Sequence, residues 1–333
     1  MSVIDNLFTH LDGNAVSING YTRSVRIVGN EFVNLGQNAI AAWGRAEGNS
    51  GLNGIYPSQT LIAENFCHEI GHIQKQSSFY FQAETAQTMI RDNIVFNIPR
   101  AAINFNDGFG GGNEMTRNLL FNTCRESSDH GAFNSWDRLP YITTVRDGVT
   151  PSSVPGINNM HENFIVANYA ADGGCLDNDD GSSYYDIHHN ACIFGGHKSD
   201  FDGNKKRSFA NLHLYPSVYG VTCMSIGAQN LPPKNYAEAY FNNTCVLPSA
   251  GSNYIRVPGD LKGDPKGFVD GLMLSNNTVY APRGKVAVEV GSAKPISFED
   301  FQKDGFDTLS RVESKMPSAE EMVKWIEALL GIL

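Results

Sequence analysis

"DNIVFN" at Asp92–Asn97 and "RNLLFN" at Arg117–Asn122 share one frame: a charged residue, an asparagine, a short apolar run and a second asparagine. Related units recur as "GNEFVN" from Gly29, "ENFCHE" from Glu64, "ENFIVAN" from Glu162, "HNACIF" from His189, "NNTCV" from Asn242 and "NNTVY" from Asn276. The leading asparagines Asn65, Asn93, Asn118, Asn163 and Asn190 are spaced by 28, 25, 45 and 27 residues. A period in the mid-twenties with one stretched step is a repeat signature. No unit holds an amphipathic run long enough for a crossover helix. Each repeat therefore reads as one coil of a solenoid built from three short parallel strands and turns: an all-β, right-handed parallel β-helix. Coils in such a stack lie about 4.8 Å apart. Inward Ile, Val, Leu, Phe and Cys side chains form ladders, and an Asn at each corner bonds its neighbours above and below.

Composition agrees. The 333 residues are 18% charged and include 33 glycines, which suits a turn-rich β protein. A formal net charge of -10 and the lack of any basic run argue against a nucleic-acid partner. No apolar stretch approaches the roughly 20 residues that span a bilayer, so no membrane partner is expected. The opening "MSVIDNLFTHLDGN" has neither a basic nor an apolar signal-peptide region. Six cysteines at 67, 124, 175, 192, 223 and 245 form no CxxC pair and read as small core side chains. Disulfides are compatible with them but not demanded. Asn242-Asn243-Thr244 and Asn276-Asn277-Thr278 match the glycosylation pattern but fit the structural Asn frame better.

The solenoid is expected over 1–296, with side-face loops near 139–157, 195–216 and 258–267. A tail over 297–333 follows. In it, "SAEEMVKWIEALLGIL" starts with a capping Ser318 and an acidic first turn, and carries Met322, Val323, Ile326, Leu329 and Leu330 on one face. It predicts an amphipathic helix that caps the last coil. No comparable cap precedes "GNAVSINGYTRSVRIVGN", so the open first coil is expected to contact another domain or subunit.

Polar groups concentrate in "CRESSDHGAFNSWDR" (Cys124–Arg138), "FNDGFGGGN" (Phe105–Asn113), "CLDNDDGSSYYD" (Cys175–Asp186) and "HKSDFDGNKK" (His197–Lys206). Asp107, Asp129, Asp177 and Asp200 follow their ladder asparagines by 14, 11, 14 and 10 residues, so stacking brings the acids to one face. Crowded carboxylates shift one another's pKa, which suits acid–base chemistry. Carboxylates one coil apart would be roughly 5 Å apart, the retaining-glycosidase spacing; two coils apart, they approach the inverting spacing. Asp129, His130, Asp137, Asp177, Asp179 and Asp180 are the candidate catalytic residues. Asp107, Arg125, Asn134, Trp136, Arg138, Tyr184, Tyr185 and Lys198 are candidate substrate contacts, the aromatics as a floor for a sugar ring. A turn-forming role accounts for any single Asp here, but not for Arg, His and Trp beside them.

Three other motifs are weaker. His68-Glu69-Ile70-Gly71-His72 matches HExxH, yet it sits in strand-and-turn context with Gly71 inside and no third ligand spacing downstream. His68 or His72 would instead line the same cleft. "GFGGGN" lacks the Lys-Ser/Thr of a phosphate loop. Asp177–Gly181 resembles the start of a calcium loop, but His188 occupies the place of its last glutamate. No cofactor is expected, with Ca2+ at the acidic cluster as the alternative.

The segments "DGNAVSINGYTRSVRIVGNEF", "INFNDGFGGGN", "CRESSDHGAFNSWDRLPY", "DNDDGSSYYD" and "KSDFDGN" resemble right-handed β-helix proteins of the pectate-lyase-like superfamily, near uncharacterised glycoside hydrolase-like members. The likeness covers about residues 11–290, and those members usually have more coils upstream. It implies a carbohydrate-active, usually exported protein, and so an extracellular or secretory-pathway location and a poly- or oligosaccharide partner. The favoured expectation is a glycoside hydrolase working through paired Asp carboxylates. A polysaccharide lyase or uronate epimerase, with His130 as base, is the enzyme alternative. A non-catalytic structural or adhesive solenoid that assembles or binds glycans is the third.

Overall fold

The computed structural model describes all residues except 46–54, 107–109, 137–140, 143–153, 171–173, 200–202, 204, 217–221, 228–237, 258–271, 292–293 and 333. Its strands form three long sheets of 10, 11 and 11 strands, each taking every third strand of the solenoid in order. Ten coils result, the first being Ser2–Ile4, Leu7–Leu11 and Val16–Asn19, the last Leu272–Ser275, Thr278–Tyr280 and Ala287–Val290. Neighbouring coils pair in parallel register, as in Met89↔Glu114, Ile94↔Leu119 and Ile103↔Phe133. The chain is thus the parallel β-helix that the repeat predicts.

The corner between the first and second sheets carries the asparagine ladder. The side-chain oxygen of Asn118 accepts from the backbone N–H of Asn93 at 3.1 Å and its amide at 2.9 Å, and Asn163 does the same for Asn118 at 3.0 Å. The series runs through Asn6, Asn30, Asn65, Asn93, Asn118, Asn163, Asn190, Asn211, Asn243 and Asn277, where the Ser310 hydroxyl takes over. Asn243 and Asn277 of the two glycosylation-like triplets are ladder members. The residue before each rung is left-handed, for example Asp92 (φ 57), Arg117 (φ 53) and Ala210 (φ 53). That conformation costs a non-glycine residue roughly 1–2 kcal/mol, and the rung's hydrogen bonds hold it there.

Inside, the core is stacked like on like: Ile62, Ile90, Met115 and Met160 on the first sheet; Cys67, Val95, Leu120, Ile165 and Cys192 on the second. Cys67, Cys124, Cys175 and Cys192 are buried thiols, and Cys223 and Cys245 form a disulfide. The amphipathic helix is present at Ala319–Leu330, with a full capping box on Ser318 and Glu321. Its apolar face, Met322, Ile326 and Leu329, lies along the flank of the second sheet on Ala191, Leu212, Leu214 and Val246. The end of the stack is closed by the short helix Phe298–Lys303, which puts Phe298 and Phe301 against Tyr254, Val286 and Val288.

The stretch 195–216, expected as a loop, holds the strands His197–Ser199, Arg207–Phe209 and Leu212–Leu214. Its polar content misleads because the strands are only three residues long. Within 139–157, Tyr141–Ile142 pairs antiparallel with Val154–Pro155. The stretch 258–267 lies outside the described residues.

Candidate active site

The site sits on the outer face of the third sheet. There Asn104, Asn134, Asp177, Lys198 and Ser225 are vertical neighbours on successive coils. Alternation decides this: Ile103, Phe133, Leu176 and Met224, one residue earlier, point into the core. Lys198 Nζ lies 3.1 Å from Asp129 Oδ1 and 3.5 Å from Asp177 Oδ1. One ammonium therefore joins an acid on the turn of coil 5 to an acid on the strand of coil 6. The stacking argument predicts this convergence.

The two acids differ in access. Asp177 is wholly buried, whereas the Asp129 side chain is 64% exposed. Asn134, with its amide turned to satisfy its neighbours, donates to Asp177 Oδ2 at 3.2 Å. Gly131 passes over Asp177 so closely that an added Cβ would lie 2.9 Å from the Asp177 Cβ, so only glycine fits there. Asp179 and Asp180 follow in a half-buried turn. The Asp179 N–H donates to the Ser135 carbonyl at 2.8 Å, and Asp179 Oδ1 accepts from the Asp180 N–H at 2.9 Å.

His130 follows Asp129 on the same turn, with Nδ1 against the Ser127 hydroxyl. Burial, reinforced by the positive charges of Arg100 and Lys198, lowers its pKa to about 4 despite Asp129. Its imidazole is neutral at pH 7. Arg125 is exposed on this turn, and Trp136 is half-buried just after the strand Phe133–Ser135. Tyr184 is half-buried, with Lys205 Nζ 5.3 Å from its ring centre.

Tyr185 is a correction. It is fully buried and its ring lies 6.0 Å from Phe133 inside the solenoid, so it contacts no substrate. The left-handed Tyr184 (φ 61) resets the alternation, sending the two tyrosines apart. His68 is also placed elsewhere: it stacks on Phe96 at 4.9 Å on the outside of the second sheet, in the strand Phe66–Ile70. Asp107, Asp137 and Arg138 lie outside the described residues, as does Asp200.

Arg100 is a neighbour that sequence reading missed. It is 9% exposed, and the charges of Asp177, Asp179 and Asp129 all act on it; burial is the main cause that lowers its pKa. Within "IPRAAINF" it looks like an ordinary corner residue before a core strand. No helix among the described residues is long and apolar enough to cross a membrane.

No protein-family model matches the chain, and no curated protein matches it. Among solved structures, the fold is similar to that of alginate lyase from Paenibacillus sp. str. FPU-7, with a TM-score of 0.56 at 12% identity. The match covers 87% of this chain and 92% of that one. The likeness extends along nearly the whole solenoid, and it is a likeness of fold.

Proposed function

We propose that this β-helix is a glycan-cleaving enzyme of glycoside hydrolase type, with a poly- or oligosaccharide lying across the outer face of the third sheet at coils 5–7. The observation that supports it is the shared grip of Asp129 and Asp177 on Lys198, which gathers acids 48 residues apart in sequence around one point. Asp177 is wholly buried with Lys198 at one oxygen and Asn134 at the other, so its proposed role is to position Lys198. Asp129 keeps access, and Asp179 in the half-buried Asp179–Asp180 turn is its proposed partner, one to protonate the leaving glycosidic oxygen and the other to attack the anomeric carbon or activate water. Asn134 supports Asp177; Trp136, Tyr184 and Arg125 border the face that the sugar would occupy. The reaction is proposed to need no resident metal; activity unchanged by calcium or a chelator is the expected outcome. An extracellular site of action is supported by the Cys223–Cys245 bridge, since disulfides persist in oxidising compartments.

A second reading is β-elimination on a uronate glycan. The neutral His130 beside Arg100 favours it, and so does the fold likeness to an alginate lyase. In that reaction His130 takes the proton next to the carboxylate carbon, a C=C bond forms, and the 4-oxygen leaves with a proton from the site or solvent. A panel of neutral and acidic polysaccharides, read for new reducing ends and for ultraviolet absorbance of an unsaturated product, tests both. Hydrolysis gives reducing ends without absorbance, and Asp129→Asn and Asp179→Asn each slow it by about a hundredfold or more. Absorbing products would replace the first reading by the second. Wild-type rates in both variants would remove the proposed carboxylate pair.

A further inference from the structure

Among the described residues near this face, Arg100 is a buried cation whose guanidinium no side chain engages. It stands on the corner of coil 4, beneath the turn that carries Asp129 and His130. That turn is pinned above it: the N–H groups of Cys124, Arg125 and Glu126 donate to the carbonyls of Arg100, Ile98 and Pro99 at 3.0, 3.3 and 3.0 Å. The side chain is more than nine-tenths buried, and its Nε is sealed from solvent with no hydrogen-bond partner. Among the described residues its guanidinium makes no hydrogen bond or ion pair.

That is an unusual state for a buried cation. Taking a guanidinium out of water costs several kcal/mol, and buried arginines are normally forked onto a carboxylate or carbonyl. Acids are near: Asp129, Asp177 and Asp179 act on Arg100 through space. None of them closes onto it, because Asp129 and Asp177 are turned to Lys198 and Asp179 is turned to the next backbone N–H. The fork is buried, charged and unfilled among the described residues, within reach of the charges of the proposed cleavage centre.

Resting on the glycan-cleaving reading, we propose that Arg100 is an oxyanion receptor for the carboxylate or sulfate group of an acidic sugar residue in the bound glycan. A planar guanidinium takes a carboxylate or sulfate through two parallel N–H···O bonds, which an ammonium cannot copy. The surrounding acids make the site selective: a bound anion must line up with the fork to offset their repulsion, so loosely placed anions are turned away. A neutral sugar leaves the fork unfilled and gains nothing from it.

Calorimetric titration of the full chain with sodium glucuronate, glucose 6-sulfate and glucose, at one ionic strength, reads this directly. At least one charged sugar should bind about tenfold or more tightly than glucose, and which one does so identifies the group. Arg100→Gln should abolish the preference and Arg100→Lys should keep only part of it, while Arg26→Gln, exposed on the first sheet, should leave it intact. Should Arg100→Gln fail to fold, phenylglyoxal labelling of the wild type serves instead: the charged sugar, and not glucose, should slow modification of Arg100. Equal binding of charged and neutral sugars by the wild type, or an undiminished preference in folded Arg100→Gln, would overturn the assignment. A preference lost in Arg100→Gln while no glycan is cleaved would sink the enzyme reading and leave this site standing. Cleavage of glycans without any charged-sugar preference would do the reverse.

Discussion

Lys206 and Glu238, each 1% exposed, meet inside the solenoid with Nζ 3.3 Å from Oε1. Lys206 also donates to the Ser182 carbonyl at 2.9 Å, and the second Glu238 oxygen accepts from Ser199 at 3.2 Å. Burial is the largest influence on Glu238 and raises its pKa even with the cation beside it. Such a pair is weak support when whole and a severe defect when halved. Lys206→Met is expected to cost about 3–5 kcal/mol, and Lys206→Met with Glu238→Leu to recover most of that. Urea unfolding of the single and double variants checks it; additive losses would contradict the coupling.

His213 is fully buried, neither ring nitrogen is hydrogen-bonded among the described residues, and burial lowers its pKa from 6.5 to about 4. The native state therefore prefers the neutral ring. Its contribution is fully present above pH 6.5 and is lost as pH falls from 6.5 toward 4. Asp307 runs the other way: burial raises it from 3.8 to about 6, so stability falls as pH rises through that window. Only a difference between variants isolates one group. His213→Leu should be more stable than wild type, and its advantage should grow by up to about 3 kcal/mol between pH 7 and pH 4. A gap independent of pH would rule out His213 as a titrating group.

Asn118 serves five hydrogen bonds, accepting two from Asn93 and giving three to Ile90, Thr116 and Asn163. Asn118→Ala strands donors and carbonyls that water cannot reach. A loss of about 3 kcal/mol or more is expected by chemical denaturation. A loss under about 1 kcal/mol would mean that the ladder is decorative.

Ala210 takes the left-handed corner position with φ 53. Ala210→Gly should raise stability by about 1 kcal/mol, because glycine adopts that region without the Cβ clash. In the opposite sense, Gly29→Ala, at φ 70, should lower it, because the added Cβ strains that left-handed backbone. Matched thermal melts decide the sign of each.

How much could be read from the chain follows from the same geometry. Asparagine marks one corner of every coil because a side-chain amide at that point reaches both neighbouring coils, so the period is written plainly in Asn65, Asn93 and Asn118. The vertical meeting of Asn134, Asp177 and Lys198 follows once the period is known. What was hidden depends on left-handed residues inside the units, which change the inward–outward alternation without a sequence mark. Tyr185 and the inward Lys206 are of that kind. Arg100 was hidden otherwise: its importance lies in the hydrogen bonds it does not make, and no spacing records those.

The Cys223–Cys245 bond ties the third sheet of coil 8 to the second sheet of coil 9. A stack whose layers hold only their nearest neighbours tends to unzip from its ends. Under a pulling force applied at the C-terminus, peeling would run through coil 10 and then stall at this covalent rivet, with the load passed to the layers beneath. A reducing agent would remove the stall, making the last third of the rod mechanically softer while the proposed cleavage face stays gripped by coils 4–7.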